Sequence, residues 1–352
     1  MQIDFHYCMV RLLSEKAGFT PDEAQIIAYA SQFVDDANAN KPFKIKDVPD
    51  FGFERYKNGY FDPVCTAHKD IENVKGLDPI VQKKVYISYH FIPKEKFEGA
   101  KTLDPVNDLN YEYKTAPNNS FAREILNIAL NELRGNKKNR QQKLIKLGIA
   151  LHSYADTWSH QGFSGKKSRK DNDIERVRLY QGSDVEEVST SLLGIFGELA
   201  PIGHIQASVY PDRSDLTWRY EQDYDGFDVH RENTLIYLEA ALTIYETLCE
   251  FNDVSPSWKQ IVDKIKECLS VPTDSKKAKF KKYVEVFPEV EFDYDHNEWR
   301  KAAIKKGYFN FGDYYAEDYK KLVCKFNNDM KWYYFHLEAL NQRKFVMDNI
   351  PA

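Results

Sequence analysis

The sequence predicts a mainly α protein, a single helical domain with long loops and at most a small β element near residues 84–93. Three observations carry that expectation. Apolar residues recur at helical spacing through most of the long segments. Capping and stop residues flank those segments. A strand-like run rich in β-branched and aromatic residues occurs once, in KVYISYHFIP.

The first clear helix opens at Thr20-Pro21-Asp22-Glu23, which supplies an N-cap, a first-turn proline and the acid of a capping box. Ile26, Ala30, Phe33, Val34 and Ala37 then recur along one face. Ser120 precedes FAREILNIALNEL, and the breaker-rich RGNKKNR separates it from QQKLIKLGIALHSYADTWSHQ, which stops at Gly162. VHRENTLIYLEAALTIYETLCEF and SWKQIVDKIKECL read as further helices. The closing segment from Tyr315 to Ile350 reads as one long helix or two with a bend. Residues 41–77 and 99–119, rich in Pro, Gly, Asn and Asp, read as long surface excursions, which often border functional sites. No linker divides the chain, so residues 1–254 are expected to form a helical metal-binding core and residues 255–352 a C-terminal helical extension packed on the same domain.

Composition excludes several classes. With 352 residues, 42% of them hydrophobic, the chain is long enough to bury a substantial core. A net charge of −5 with dispersed Lys and Arg gives no basic stripe, so double-stranded nucleic acid is not an expected partner. The five cysteines are odd in number, widely spaced and without a CxxC pair, which points to reduced thiols. The N-terminal segment lacks signal-peptide character, and no apolar run is long enough to cross a bilayer. A cytoplasmic location is therefore expected.

The chemistry concentrates in LHSYADTWSHQGFSG. A helix turns about 100° per residue, so steps of four move about 40° and place His152, Asp156 and His160 on one face. Leu147, Ile149, Ala150, Leu151 and Ala155 indicate that this helix is buried. Two imidazoles and a carboxylate in such a setting need partners, and a divalent metal supplies one. The alternative is a hydrogen-bonded network without metal. His6, with Asp4 beside it, His90 in YHFIP, and His204 and Asp212 in GHIQASVYPD are further candidates for the same centre. In ASQFVDDA one of Asp35 and Asp36 must turn inward, and the sequence leaves open which. Arg213, Lys166 and Lys167 follow these motifs, and a cation there can hold phosphoryl oxygens. For each lysine, solvent exposure is the competing reading.

HSYADTWSHQGFSG, preceded by ASQFVDDA and YHFIP and followed by GHIQASVYPD, resembles a bacterial family of unannotated function. That family looks like a distant branch of the zinc-dependent phospholipase C and P1-nuclease type of all-helical metallohydrolases. The resemblance implies His6, Asp35 or Asp36, His90, His152, Asp156 and His160 as ligands of one to three ions, most simply Zn²⁺. His204 and Asp212 stand where those enzymes carry a later HxxxE pair. Their terminal-amine ligand is not expected here, because the chain opens Met1-Gln2 without a signal peptide.

The expected function is hydrolysis of a phosphoester, such as a phospholipid or a nucleotide, by metal-activated water. Asp36 or Asp156 is the expected base, and Arg213 the expected substrate contact. A nucleotide phosphohydrolase of the HD superfamily is disfavoured because no His-Asp dipeptide occurs. A non-catalytic, metal-stabilised protein-binding module is the alternative from a different class.

Overall fold

The structure is a computed structural model that describes residues 1–352 except 40, 68–77, 100–104, 136–137, 182–183, 188–200, 223–225, 306–322 and 328. It corrects the expected fold class. The chain is a mixed α/β protein, 54% helix and 12% strand, with two sheets. Helices still surround the candidate site. α1 (Val10–Lys16) continues a π-helical stretch, Asp4–Met9. α2 (Pro21–Asp36) has the capping box: Thr20 Oγ1 accepts from the Glu23 amide while the Glu23 carboxylate accepts from the Thr20 amide. α3 (Ser120–Arg134) is capped by Asn119 rather than Ser120. α4 (Arg140–Ser159) carries the HSYAD motif, and its chain leaves the helix at His160.

α2 and α4 touch at Gly148, and this contact sets the geometry of everything downstream. A Cβ on Gly148 would collide with the Ile27 carbonyl oxygen and lie 2.6 Å from the Ala30 Cβ. Only a hydrogen there lets the two backbones meet. One turn further along each helix, Ser31 and Asp35 then fall beside His152.

The run KVYISYHFIP is not a strand. Gln82–His90 forms a second π-helical stretch, with Val85 to His90 all buried. A segment packed on every side shows no amphipathic period, so its β-branched and aromatic content alone pointed to a strand. Within the expected surface excursion 41–77, the described residues 41–67 differ from that expectation, and 68–77 lie outside the described residues. Strands β1 (Phe43–Lys46), β2 (Tyr56–Lys57) and β3 (Tyr60–Phe61) send Phe43, Ile45 and Phe61 into a core with Trp332 and Phe335.

The four-stranded antiparallel sheet consists of β4 (Ile174–Gln181), β5 (Asp184–Glu187), β6 (Thr217–Gln222) and β7 (Phe227–Glu232), in the order β5-β4-β6-β7. Its inner face, including Val177, Leu179, Trp218 and Tyr220, packs with Phe91 and Phe163. β7 absorbs the Val229-His230-Arg231-Glu232 that looked helical. α5 (Asn233–Phe251) follows directly, then α6 (Trp258–Leu269), α7 (Lys276–Val286) and α8 (Glu298–Ala303).

Among the described residues the closing segment is not helical throughout: a strand precedes its one described helix. Strands β8 (Ile304–Lys305) and β9 (Val323–Phe326) complete the order β2-β3-β1-β9-β8, and β9 pairs in parallel with β1. α9 (Lys331–Met347) then returns across the core, where Tyr89 donates to the Ala339 carbonyl. The early part of the segment, up to residue 322, lies outside the described residues. No described helix is long and apolar enough to cross a membrane.

Candidate metal centre

Five histidines and three aspartates from six parts of the chain meet in three adjoining groups. They are His6, His152 and Asp156; Asp35, His90 and His152; and His160, His204 and Asp212, each with its ligand atoms within 4.8 Å of one another. His6 and His90 come from the two π-helical stretches, a geometry that recurs at functional sites. His152 and Asp156 come from α4, Asp35 from α2, and His204 and Asp212 from the short helical turns before β6.

Asp156 links the groups. Its Oδ1 lies 3.1 Å from His6 Nε2, and its Oδ2 lies 3.2 Å from both His90 Nδ1 and His152 Nε2. Asp35 Oδ1 stands 3.7 Å from His152 Nε2 and 3.9 Å from His90 Nδ1. In the third group, Asp212 Oδ1 is 3.0 Å from His160 Nε2, and Oδ2 is 3.5 Å from His204 Nε2. The rings are held by stacking as well: His6 lies 3.8 Å from His152, and Phe91 lies 4.5 Å from His160. Gly203 brings the backbone against that same Phe91 ring, where a Cβ would overlap it.

The outer nitrogens decide the protonation of the inner ones. His152 Nδ1 donates to the Ser31 carbonyl at 2.9 Å, and His90 Nε2 to the Thr66 carbonyl at 2.9 Å. His160 Nδ1 donates to the His90 carbonyl at 2.7 Å, and His204 Nδ1 to the Ser208 carbonyl at 2.9 Å. A carbonyl oxygen only accepts, so each of these nitrogens carries the proton. A neutral ring then turns a lone pair towards the carboxylates. Acceptor meets acceptor four times over, an arrangement that a cation resolves and that recurs in metal-ligating histidines.

Burial opposes protonation as the remedy. It holds His6 well below the usual imidazole range, aided by neighbouring His152, and lowers His152 too. His204 is lowered to about 4 by burial and His160, against the pull of Asp212. Burial and the other acids push Asp35 up to about 7. Asp156 and Asp212 stay well below the carboxylate range despite burial, because the Met1 amine and the histidines favour their charged forms. That amine lies 2.8 Å from Asp156 Oδ1 and 3.0 Å from Asp212 Oδ1. Burial would lower its pKa, but Asp156, Asp212 and Asp35 raise it to about 11. The terminal amine, not expected at this centre from the sequence, thus lies beside two of its carboxylates.

The donor set fits a transition metal. Imidazole and carboxylate suit Zn²⁺ and its neighbours, and bonds of about 2.0–2.1 Å place tetrahedral donors about 3.3 Å apart. The contacts above bracket that spacing. Asp35, Asp212 and His204 are 26%, 21% and 14% accessible, while the other five ligand side chains are at most 3%. Three of the eight side chains are therefore partly accessible to solvent.

Four expected site residues fall elsewhere. Asp4 Oδ2 pairs with Lys279 Nζ at 3.2 Å and accepts from Ser214 at 3.0 Å. Asp36 accepts from Tyr294 and Gln32, which settles the Asp35–Asp36 alternative in favour of Asp35. The Arg213 guanidinium grips Asp215 at 2.6 Å and so has a carboxylate in place of a phosphoryl group. Lys166 pairs with Asp108. Asp156, expected as ligand or base, is in the centre but nearly fully buried. Sequence spacing missed Arg231 and Asn233, which hold backbone around the third group.

No curated protein and no solved structure matches the chain. A family match covers residues 1–350, and the chain belongs to that family, described as a family of unknown function (DUF6765).

Proposed function

We propose that the protein is a metal-dependent hydrolase of phosphoesters. The observation that carries the metal is the convergence of histidine lone pairs on Asp156 and Asp212, with their tautomers fixed by the carbonyls of Ser31, Thr66, His90 and Ser208. The three adjoining ligand groups support one to three ions, with Zn²⁺ the simplest choice for this donor set. Bound there, such ions supply Lewis acidity and lower the pKa of water.

The chain's own residues orient and admit. Asp156 spaces the groups by presenting its two oxygens to different histidines. Asp35, His204 and Asp212 are the partly accessible members, beside which a phosphoryl group would enter. Asp36 is held by Tyr294 and Gln32 and Asp156 is buried, so proton acceptance falls to Asp35 and Asp212. Phospholipid and nucleotide esters share the phosphoryl chemistry, and the likeness in motif order to phospholipase C and P1 nuclease supports both. Buried thiols at Cys8, Cys65, Cys249 and Cys268 support a reducing, cytoplasmic setting.

The test is turnover by zinc-loaded protein of a panel of phosphomonoesters, phosphodiesters and phospholipids. Loss on chelation and recovery on zinc addition is the expected result. Zinc-loaded protein that cleaves none of them would leave the centre as the metal staple of a protein-binding module.

A further inference from the structure

The geometry points to the β7–α5 junction, Arg231 to Tyr237, as the template that sets the His160–His204–Asp212 group, with Arg231 as its principal positioning residue. The inference rests on the metal reading and deepens it.

His160 and Asp212 come from parts of the chain 52 residues apart, yet their ligand atoms meet at 3.0 Å. Arg231 holds the His160 side. Its guanidinium donates to the last-turn carbonyls of α4, Trp158 at 3.1 Å and Ser159 at 2.8 Å, and to Gln161 at 3.4 Å, so its donors bracket His160. The cation suits the negative end of a helix. It lies 5.3 Å from the Trp218 ring centre and is only 2% exposed. Among the described residues no carboxylate lies within ion-pair distance of it. Burying a guanidinium without a carboxylate partner is costly, and the fork geometry here is spent on fixing about one turn of backbone, Trp158 to Gln161.

Two residues on, Asn233 holds the Asp212 side. It is fully buried, and its Nδ2 donates to the carbonyls of Tyr210 at 2.6 Å and Arg213 at 2.7 Å, which flank Asp212. Trp218, the ring beneath Arg231, donates to Asn233 Oδ1 at 3.1 Å. Thr234 donates to the Ser214 carbonyl and Tyr237 to that of Pro211. One short segment thus clamps the backbone on both sides of the third group, and the hydrogen bonds it donates here go to that backbone rather than to the side chains of the other two groups.

Calorimetric titration of the metal-free protein with Zn²⁺ tests this. Arg231→Met should weaken one class of zinc site by about 10- to 100-fold, as loss of an orienting partner does, and leave the others unchanged. His160→Ala should abolish that same class. The double variant should bind zinc no worse than His160→Ala alone, a non-additivity that general destabilisation would not produce. Arg231→Lys, which keeps the charge but loses the fork, should fall between Met and wild type, and it carries the comparison if the Met variant does not fold. Zinc sites untouched by Arg231→Met, or all weakened alike, would overturn the positioning role while leaving the metal centre standing. Wild-type protein that takes up no zinc would overturn the metal reading and this inference with it.

Discussion

His90 Nδ1 and His152 Nε2 face each other across 3.2 Å, and in their neutral forms neither has a proton to give. Each ring has committed its hydrogen to a carbonyl on the far side, Thr66 for His90 and Ser31 for His152. Asp156 Oδ2 completes the triangle at 3.2 Å from both. Three acceptors around one point suit a bound cation, and the proposed metal has several measurable consequences.

Metal should stabilise the fold. A ligand that binds only the folded state at a thousand times its dissociation constant adds about 4 kcal/mol. Thermal unfolding of chelated protein should therefore occur several degrees below that of zinc-loaded protein. Identical curves would argue that no metal links these groups.

Asp35 and Asp36 should separate cleanly. Asp35→Asn removes a ligand oxygen and should lower metal content and activity together. Asp36→Asn disturbs the Tyr294 and Gln32 bonds, costs about 1–3 kcal/mol of stability and leaves metal content unchanged. The reverse pattern in elemental analysis would contradict the placement of α2.

Gly148→Ala should destabilise despite alanine's better helix propensity, worth about 1 kcal/mol. The added methyl meets the Ile27 carbonyl and Ala30, and overpacking of this kind costs about 1–3 kcal/mol. Because the same contact sets His152 against Asp35, zinc affinity should fall as well. A more stable variant with wild-type affinity would show that the helices have room to part.

The metal-free protein should lose stability on acidification. Burial keeps His6, His152 and His204 neutral in the fold, the last down to about 4, whereas unfolded imidazoles protonate near 6.5. The unfolded state then binds more protons in that window, so stability falls as pH drops from about 6.5 towards 4. Asp35 runs the other way: its folded pKa near 7 gives a contribution present at low pH and lost as pH rises through 7. Three rings against one carboxyl leave a net loss of about 1–3 kcal/mol per pH unit. Urea midpoints at pH 6.5 and 5 read it directly, and equal midpoints would rule it out.

Much of the centre was legible because α4 is a regular helix, and a four-residue spacing places His152, Asp156 and His160 without knowledge of the rest. The capping box at Thr20 was equally local. His6, His90, His204 and Asp212 were named by residue type and motif, but most else that depended on another segment was not legible. The π-helical geometry at His90 hid inside a fully buried run that mimics a strand, and β9 was hidden because its partner β1 lies far away in sequence. Asp4 and Arg213 have the residue types of a metal or phosphate site, but Lys279 and Asp215 claim them. The fold class was misjudged for the same reason: strands in short, irregular pieces carry little periodicity, and partners set them.

The most direct measurement is the metal content of protein purified without chelator, with the ions then located by anomalous scattering in crystals. At least one equivalent of a divalent transition metal is expected, with a peak between His90 Nδ1, His152 Nε2 and Asp156 Oδ2. Protein free of such metals, unable to take up zinc, and with His90 and His152 ordered as they are here would contradict it.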